Sequence, residues 1–487
     1  MSTGLALSVS SDLAFLDACA QAELVRAKKI SPLELVDAAI ARIEKLNPQL
    51  NAVVWERFEK ARDEAKSALP DGPFRGVPFL TKDLGCTTAG EPDSQGSRFL
   101  KNSRYTAAVT TELARRIRAA GFINLGRTNT PEFGAVATTE PLAWGATKNP
   151  WDTERTPAGS SGGSCAAVAS GMVAVAHGSD GGGSIRIPAA TCGLVGLKPT
   201  RGRISMYPGT EWLSPVSVQG FQTRSVRDTA ACLDFASGPV TGDPMPPPRP
   251  YRPYRQEVGA ALGRLRIGLW ASLPGTMRGE LHVECKRAVE ETGRLLESLG
   301  HHVEVAHPAT LDEPKTNTLF SRIWPVRLLA GLQSFERKLG KKAPDDELDP
   351  PTLFWIERAR TMLANEYVEA LEDMDAFTRT FAGWWASGFD VLVSPTTGTI
   401  TPKLGELGLD AERLPLSLLW SPYTAYFNMS GQPAVSLPLH WTETGLPVGV
   451  QLGGAHGRED VLIRLASQLE AARPWSGRIP PVNAAAS

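Results

Sequence analysis

Between Ala158 and Pro188 the chain carries few large side chains, and this stretch limits the possible folds more than any other. Two clusters rich in glycine and serine bound it: Ala158-Gly-Ser-Ser-Gly-Gly-Ser164 and Gly178-Ser-Asp-Gly-Gly-Gly-Ser-Ile-Arg-Ile-Pro188. From 164 to 170 small residues dominate, which suits a tightly packed helix, and 172–176 reads as a short apolar strand. That strand delivers the second cluster, so the cluster is expected at a strand end. A fold must bring backbone close to backbone here, because there is little side-chain volume to fill the space.

The rest of the chain repeats the same style. Ser31 is a candidate N-cap, Pro32 fits the first helical position and Glu34 completes a capping box, with Leu33, Val36, Ile40 and Ile43 on one helical face. Residues 77–81 form an apolar run before Lys82-Asp83 and read as a buried strand ending at a functional edge. Helix is expected over 112–120 and strand over 122–125. Further strands are expected at 265–270, 302–305, 390–395 and 434–438, and helices at about 280–299, around Trp384-Trp385 and after 457–460. The last of these should turn Val461, Leu462, Leu465 and Leu469 inward. Alternation of this kind argues for an α/β class with largely parallel pairing. At 487 residues the length alone suits two or three average domains, although large α/β enzymes also keep that much chain in one unit. The proline-rich residues 238–255 are expected to be an exposed connection.

Charge and cysteine usage narrow the partners. Lys and Arg number 51 against 52 Asp and Glu, so no global field draws the chain to nucleic acid or an anionic membrane. The expected partner is small and not polyanionic. Cys19, Cys86, Cys165, Cys192, Cys232 and Cys285 are scattered, with no CxxC pair or nearby histidine, which argues against structural zinc and for a reducing cytoplasm. The first fifteen residues lack a basic segment followed by a long apolar one, and no run of eighteen apolar residues occurs. A soluble, unexported protein is expected.

What could the glycine-rich clusters do? A Walker loop needs a glycine before its lysine, and Lys198 follows leucine and precedes proline; a dinucleotide fingerprint needs a third glycine that Gly181-Gly-Gly183 lacks. Phosphate binding therefore fails on spacing. Consecutive glycines before Ser184 instead allow several N–H groups to converge on one oxygen, as an oxyanion hole requires. Ser184 is thus a candidate nucleophile. Gly159-Ser-Ser-Gly-Gly163 matches the bare nucleophile-elbow pattern around Ser161, but a polar loop precedes it where an elbow needs an apolar strand. For the base, His177 reads first as a packed strand residue. Lys82 is the better candidate, since an amine held out of water loses its proton more readily. Keeping it mostly neutral at pH 7 requires about 4.6 kcal/mol of destabilisation of the ammonium.

Together these pieces resemble the amidase signature family. The likeness lies in Gly76-Val-Pro-Phe-Leu-Thr-Lys-Asp-Leu84, Gly159-Ser-Ser-Gly-Gly-Ser164 and the run 178–200, and extends through 126–132, 427–434 and 449–452. It implies one α/β domain over 1–487, with a signature core at about 70–235 and a large mixed, twisted sheet covered by helices on both sides. It implies a Ser–cis-Ser–Lys triad in which Ser184 attacks, Ser160 bridges from a cis peptide and Lys82 is the base. Gly181, Gly182, Gly183 and Ser184 would hold the oxyanion, each donor being worth roughly 3 to 4 kcal/mol. Ser179, Asp180 and Arg186 would brace the loop, Ser179 by bonding Lys82. No metal or cofactor is implied.

Departures bear on the substrate. Gly181 stands where many members have Ile or Thr, and Ile187 where tRNA-dependent glutamine amidotransferase subunits usually carry Gln. That subunit role is the second reading, and an α/β-hydrolase esterase acting through Ser161 the third. Residues 139–145 and 457–460 are most similar to bacterial amidases of the nylon-oligomer hydrolase kind. Phe133, Trp324, Tyr423 and Phe427 are candidates to line an apolar acyl or aryl pocket. The expected partners are a small amide, ester or carbamate and water, with a homodimer as the assembly considered.

Overall fold

The computed structural model describes residues 13–209, 215–275 and 277–485; residues 1–12, most of the stretch read for a leader, lie outside them. Eleven strands form one sheet among the described residues: β1 (Val53–Glu56), β2 (Pro78–Lys82), β3 (Ile123–Thr128), β4 (Val175–Asp180), β5 (Val195–Lys198), β6 (Val218–Thr223), β7 (Arg266–Leu269), β8 (His302–Val305), β9 (Val391–Pro395), β10 (Ala434–Trp441) and β11 (Pro447–Gly454). Their order across the sheet is β1-β3-β2-β4-β6-β5-β10-β11-β9-β7-β8.

The expectation of largely parallel pairing is corrected. Pairing is parallel where β2 meets β3 and β4, and where β7 meets β8 and β9. From β4 through β6, β5, β10 and β11 to β9 every neighbour is antiparallel. Pattern reading had no strand at β1, β5, β6 or β11. The last three are buried along their whole length, so they show no alternation of polar and apolar positions. Their glycines and glutamines look like loop residues until the neighbours are known.

Helix boundaries follow local chemistry closely. Ser31 caps the Pro32–Leu50 helix, accepting from the Glu34 amide while the Glu34 carboxylate accepts from the Ser31 amide at 2.7 Å. The Glu112–Ala119 helix, the Val283–Ser298 helix, the Ala364–Ala386 helix and the Glu459–Ala472 helix stand where expected. In the last, Val461, Leu462, Leu465 and Leu469 are all buried. Residues 238–255 run mostly exposed until the buried Tyr254. No helix among the described residues is long and apolar enough to cross a membrane.

The strand expected at 172–176 begins later and runs through Asp180. Its extra residues matter most, because they carry the first three residues of the glycine cluster into the sheet. β2 and β4 are parallel neighbours with Leu80 opposite Ala176, so their ends bring Lys82 alongside 178–179.

Candidate active site

Lys82 closes β2 with no exposed surface. Its Nζ lies 2.6 Å from Ser160 Oγ, 3.1 Å from Ser161 Oγ and 3.0 Å from Ser179 Oγ. All three neighbours are hydroxyls, so nothing in direct contact compensates an ammonium charge. Burial pulls Lys82 down from the ordinary 10.5 to about 7, against the opposing pull of Asp180. The surface ion pair that a Lys-Asp sequence ordinarily makes is absent here, since Asp83 is buried too.

Ser160 and Ser161 reach Lys82 from the turn before the Gly162–Ala169 helix. The Gly159–Ser160 peptide is cis and Ala158 sits in the left-handed region at φ 64°. A Cβ on Gly159 would come within 2.4 Å of the Thr138 carbonyl oxygen, and one on Gly163 within 2.4 Å of the Asn129 nitrogen. Glycine is needed at both places for the turn and helix to lie this deep. Ser161 is fully buried. Its hydroxyl donates to the Ser179 carbonyl at 3.3 Å, which leaves it to accept from Lys82. A serine so enclosed offers no attacking group.

Ser184 stands half-buried on the turn between β4 and the Arg186–Cys192 helix. Asp180 holds that turn in place. Its Oδ1 accepts from the Gly183 amide at 2.7 Å and from Asn428 Nδ2 at 2.8 Å, and its Oδ2 accepts from the Ile185 amide at 3.1 Å. Arg186 donates Nε and Nη2 to the two carboxylate oxygens at 3.0 Å each. Burial alone would raise the Asp180 carboxyl, but Arg186 outweighs it and holds it at about 2. The guanidinium is otherwise spent on the Thr424 carbonyl, Gln451 Oε1 and Asn428 Oδ1. Thr424 Oγ1 also donates to the Gly182 carbonyl at 2.5 Å.

This network corrects one expected role. The Gly183 N–H is engaged by Asp180 and is not directed at a substrate oxygen, which leaves Gly181, Gly182 and Ser184 as the candidate donors. Gly183 has a different use: its φ is 136°, and a Cβ there would meet Thr424 Oγ1 at 2.3 Å and Ile187 Cδ1 at 2.5 Å.

His177 is a packed strand residue. Its Nδ1 accepts from the Lys82 amide at 3.3 Å, so its Nε2 donates to Gln219 Oε1 at 2.8 Å. Burial drops it to about 3, which makes it a neutral link between strands.

Of the four aromatic candidates, the structure brings one to the turn. A Cβ on Gly181 would lie 2.8 Å from Trp324 Cζ3. Tyr423 is fully enclosed, donating to the Ser272 carbonyl at 2.9 Å and packing edge-on against Trp270. Phe427 is enclosed against Phe381 and beneath the Arg186 guanidinium. Phe133 is stacked on Phe335 with centroids 6.1 Å apart. Tyr423 and Phe427 are corrected to core packing; Phe133 lies in the same buried apolar cluster as Trp324. Asn428, Gln451 and Thr424 are the site residues that sequence reasoning missed. Asn428 and Gln451 fall inside the stretches 427–434 and 449–452, whose likeness to the family was the available signal. Phe320, one helical turn before Trp324, was also missed.

A buried amine facing serine hydroxyls, beside a braced glycine turn that presents another serine, is the equipment of an acyl-transfer hydrolase. The family model described as Amidase matches residues 34–463. A 6-aminohexanoate-cyclic-dimer hydrolase of Paenarthrobacter ureafaciens is 42% identical over 477 residues, covering 95% of this chain and 96% of that protein. A solved structure of 6-aminohexanoate cyclic dimer hydrolase complexed with substrate matches with a TM-score of 0.92 at 40% identity, over 96% of this chain and 100% of that one. A bacterial aryl acylamidase of the amidase signature family matches with a TM-score of 0.86 at 27% identity, over 96% and 99% of the two chains. The chain belongs to the amidase family. It is an amide-hydrolysing enzyme, similar over nearly its whole length to 6-aminohexanoate-cyclic-dimer hydrolases.

Proposed function

We propose that this enzyme cleaves the C–N bond of small or oligomeric amides through a covalent acyl intermediate on Ser184, with Ser160 as proton bridge and Lys82 as base. The single observation that carries this reading is the buried Lys82 amine, 2.6 Å from Ser160 Oγ with only hydroxyls around it. An amine in that setting can accept a proton near neutral pH. Neutral Lys82 takes the Ser160 proton while Ser160 takes that of Ser184, and Ser184 Oγ bonds to the carbonyl carbon. The amides of Gly181, Gly182 and Ser184 hold the developing oxyanion. Collapse breaks the C–N bond, and the proton returns through Ser160 to the leaving amine. Water then attacks the acyl-enzyme by the same relay and releases the carboxylic acid. Esters and carbamates present the same carbonyl, so they extend the proposed range. The names of the relatives make amides of ω-amino acids such as 6-aminohexanoate the first substrates to try. One sheet running from β1 to β8 supports reading the whole chain as a single unit.

Labelling tests this assignment. A fluorophosphonate should attach to Ser184, located by peptide mass spectrometry, and the purified chain alone should hydrolyse acetyl 4-nitroanilide. Label on Ser161 would instead favour an elbow nucleophile, and a chain inert until partner subunits are added would favour an amidotransferase subunit.

The Lys82 assignment predicts the pH dependence. Because the neutral amine is the active form, kcat/KM should climb through about 7 and level off above it. A profile flat from pH 5.5 to 8.5 would contradict this. Stability carries the same sign: between about 7 and 10.5 the unfolded chain keeps a proton on Lys82 that the folded chain has shed, so stability rises with pH in that window. Lys82→Met should remove this rise, which denaturant titrations at pH 6 and pH 9 can read.

A further inference from the structure

Two rings from one helix occupy the space beside the candidate oxyanion donors. Phe320 and Trp324 are four residues apart on the Pro314–Leu339 helix, stacked with centroids 5.4 Å apart and planes 20° off parallel. A Cβ on Gly181 would stand 2.8 Å from Trp324 Cζ3 and 3.0 Å from Cη2, and one on Gly182 would stand 2.9 Å from Phe320 Cζ. The rings therefore fill the volume that side chains on the turn would take. Gly181, Gly182, Ser184 and Phe320 are all half-buried, whereas their neighbours Gly183 and Ile185 are buried. Solvent thus reaches the turn on the side that the rings flank.

We propose that the Phe320–Trp324 stack, rather than any side chain on the turn, determines which acyl groups the site accepts. The inference rests on Ser184 acting as the nucleophile. An oxygen held by the Gly181 and Gly182 amides places the carbonyl carbon next to these two glycines, so the first acyl carbon lies against the ring edges. An unbranched methylene chain or a flat aryl group passes along such a wall. A carbon branched next to the carbonyl collides with it, because rings set in a packed core do not give way readily. Trp324 is mostly buried within that core, so it fixes the wall, while Phe320 forms its wetter part. Glycine at 181 and tryptophan at 324 are then a matched pair: one supplies the space that the other fills.

The experiment compares kcat/KM for the 4-nitroanilides of butyric and isobutyric acid. Wild type should prefer the straight chain. Trp324→Leu and Phe320→Ala should each raise the isobutyryl-to-butyryl ratio by about tenfold or more, the scale by which a pocket discriminates one carbon group. Gly181→Ala alone should lower turnover of both anilides, and combining it with Trp324→Leu should recover at least part of the loss. A ratio within twofold of wild type in the two ring variants, with Ser184 still labelled by fluorophosphonate, overturns the assignment of the rings. Failure of wild type to be labelled at Ser184 instead removes the acyl-enzyme reading beneath it. Should the buried Trp324 variant not fold, the half-buried Phe320→Ala decides the matter by the same ratio, which a merely structural role does not move.

Discussion

Replacing Ser184 by alanine is expected to lower kcat for acetyl 4-nitroanilide by roughly 10⁴-fold or more, with little change in melting temperature. The fold should tolerate the change because Ser184 is half-buried and the turn is held by Asp180 rather than by the serine. Lys82→Met should cost nearly as much, since without a base the hydroxyl relay has nowhere to send its proton. The double variant should then be scarcely worse than either single one, because residues that act as one unit lose their whole contribution when any member goes. Losses that multiply would show that the two residues act separately. Ser161→Ala provides the contrast: Ser161 accepts from Lys82 and the Ser179 amide and donates to the Ser179 carbonyl, so substantial activity should survive. Single-turnover kinetics with purified variants measures all of these.

Arg186→Met should destabilise the protein by about 3–5 kcal/mol and abolish most activity, because removing one partner of a buried ion pair strands the other. The stranded group is Asp180, which has no exposed surface. In the wild type the Arg186 charge keeps this carboxyl at about 2, below its ordinary 3.8. The pair's contribution to stability is therefore complete above about 3.8 and lost as pH falls through about 2. Without Arg186, burial prevails and raises the carboxyl instead, so the variant should lose further stability as pH rises from 5 to 8, a window in which the Asp180–Arg186 pair of the wild type is unchanged. Activity should fall for a separate reason: the Gly183 and Ile185 amides hang on the two Asp180 oxygens, and the donors between and beside them lose their aim when the carboxylate moves. Denaturant titration at pH 5 and pH 8, paired with anilide turnover, checks both effects. A cost below about 1 kcal/mol would mean that Asn428 and the backbone amides suffice to hold Asp180.

Much of the site was legible from sequence because its chemistry is written locally. The Ser31 cap, the amphipathic helices and the ordered clusters at 76–84, 159–164 and 178–188 depend on residues close together in the chain, and local spacing carries them. The strand that delivers the nucleophile turn was placed too early because it holds Gly178 and Ser179, residues that propensity assigns to loops. Parallel pairing was expected from the alternation of the strands and helices that could be read; the central strands β5, β6 and β11, whose pairing is antiparallel, went unread because they are polar in part and their polar members serve the site rather than the surface. Gln222 donates to the Ile185 carbonyl at 3.1 Å and Gln451 accepts from Arg186 at 2.7 Å. Such residues break the alternation that marks a strand in isolation.

The aromatic candidates divide on the same principle. Trp324, Tyr423 and Phe427 are alike in sequence, and only packing separates the ring that lies against Gly181 from the two fully enclosed in the core. Gly183 differs from Gly181 and Gly182 because the Asp180 carboxylate claims its N–H and because Thr424 and Ile187 lie where its Cβ would stand.

The sequence by itself determined which residues could supply the chemistry: a lysine at a strand end, a serine pair after glycine, and a serine on a glycine turn. The tertiary structure decided their states. Lys82 sits near 7 only because β2 ends beside β4 with three hydroxyls and no carboxylate in contact, and desolvation is a property of the assembled surroundings rather than of a motif. The same holds for the turn, where the choice between donor and strut, or between wall and core, is made by whatever chain distant in sequence lies against each glycine.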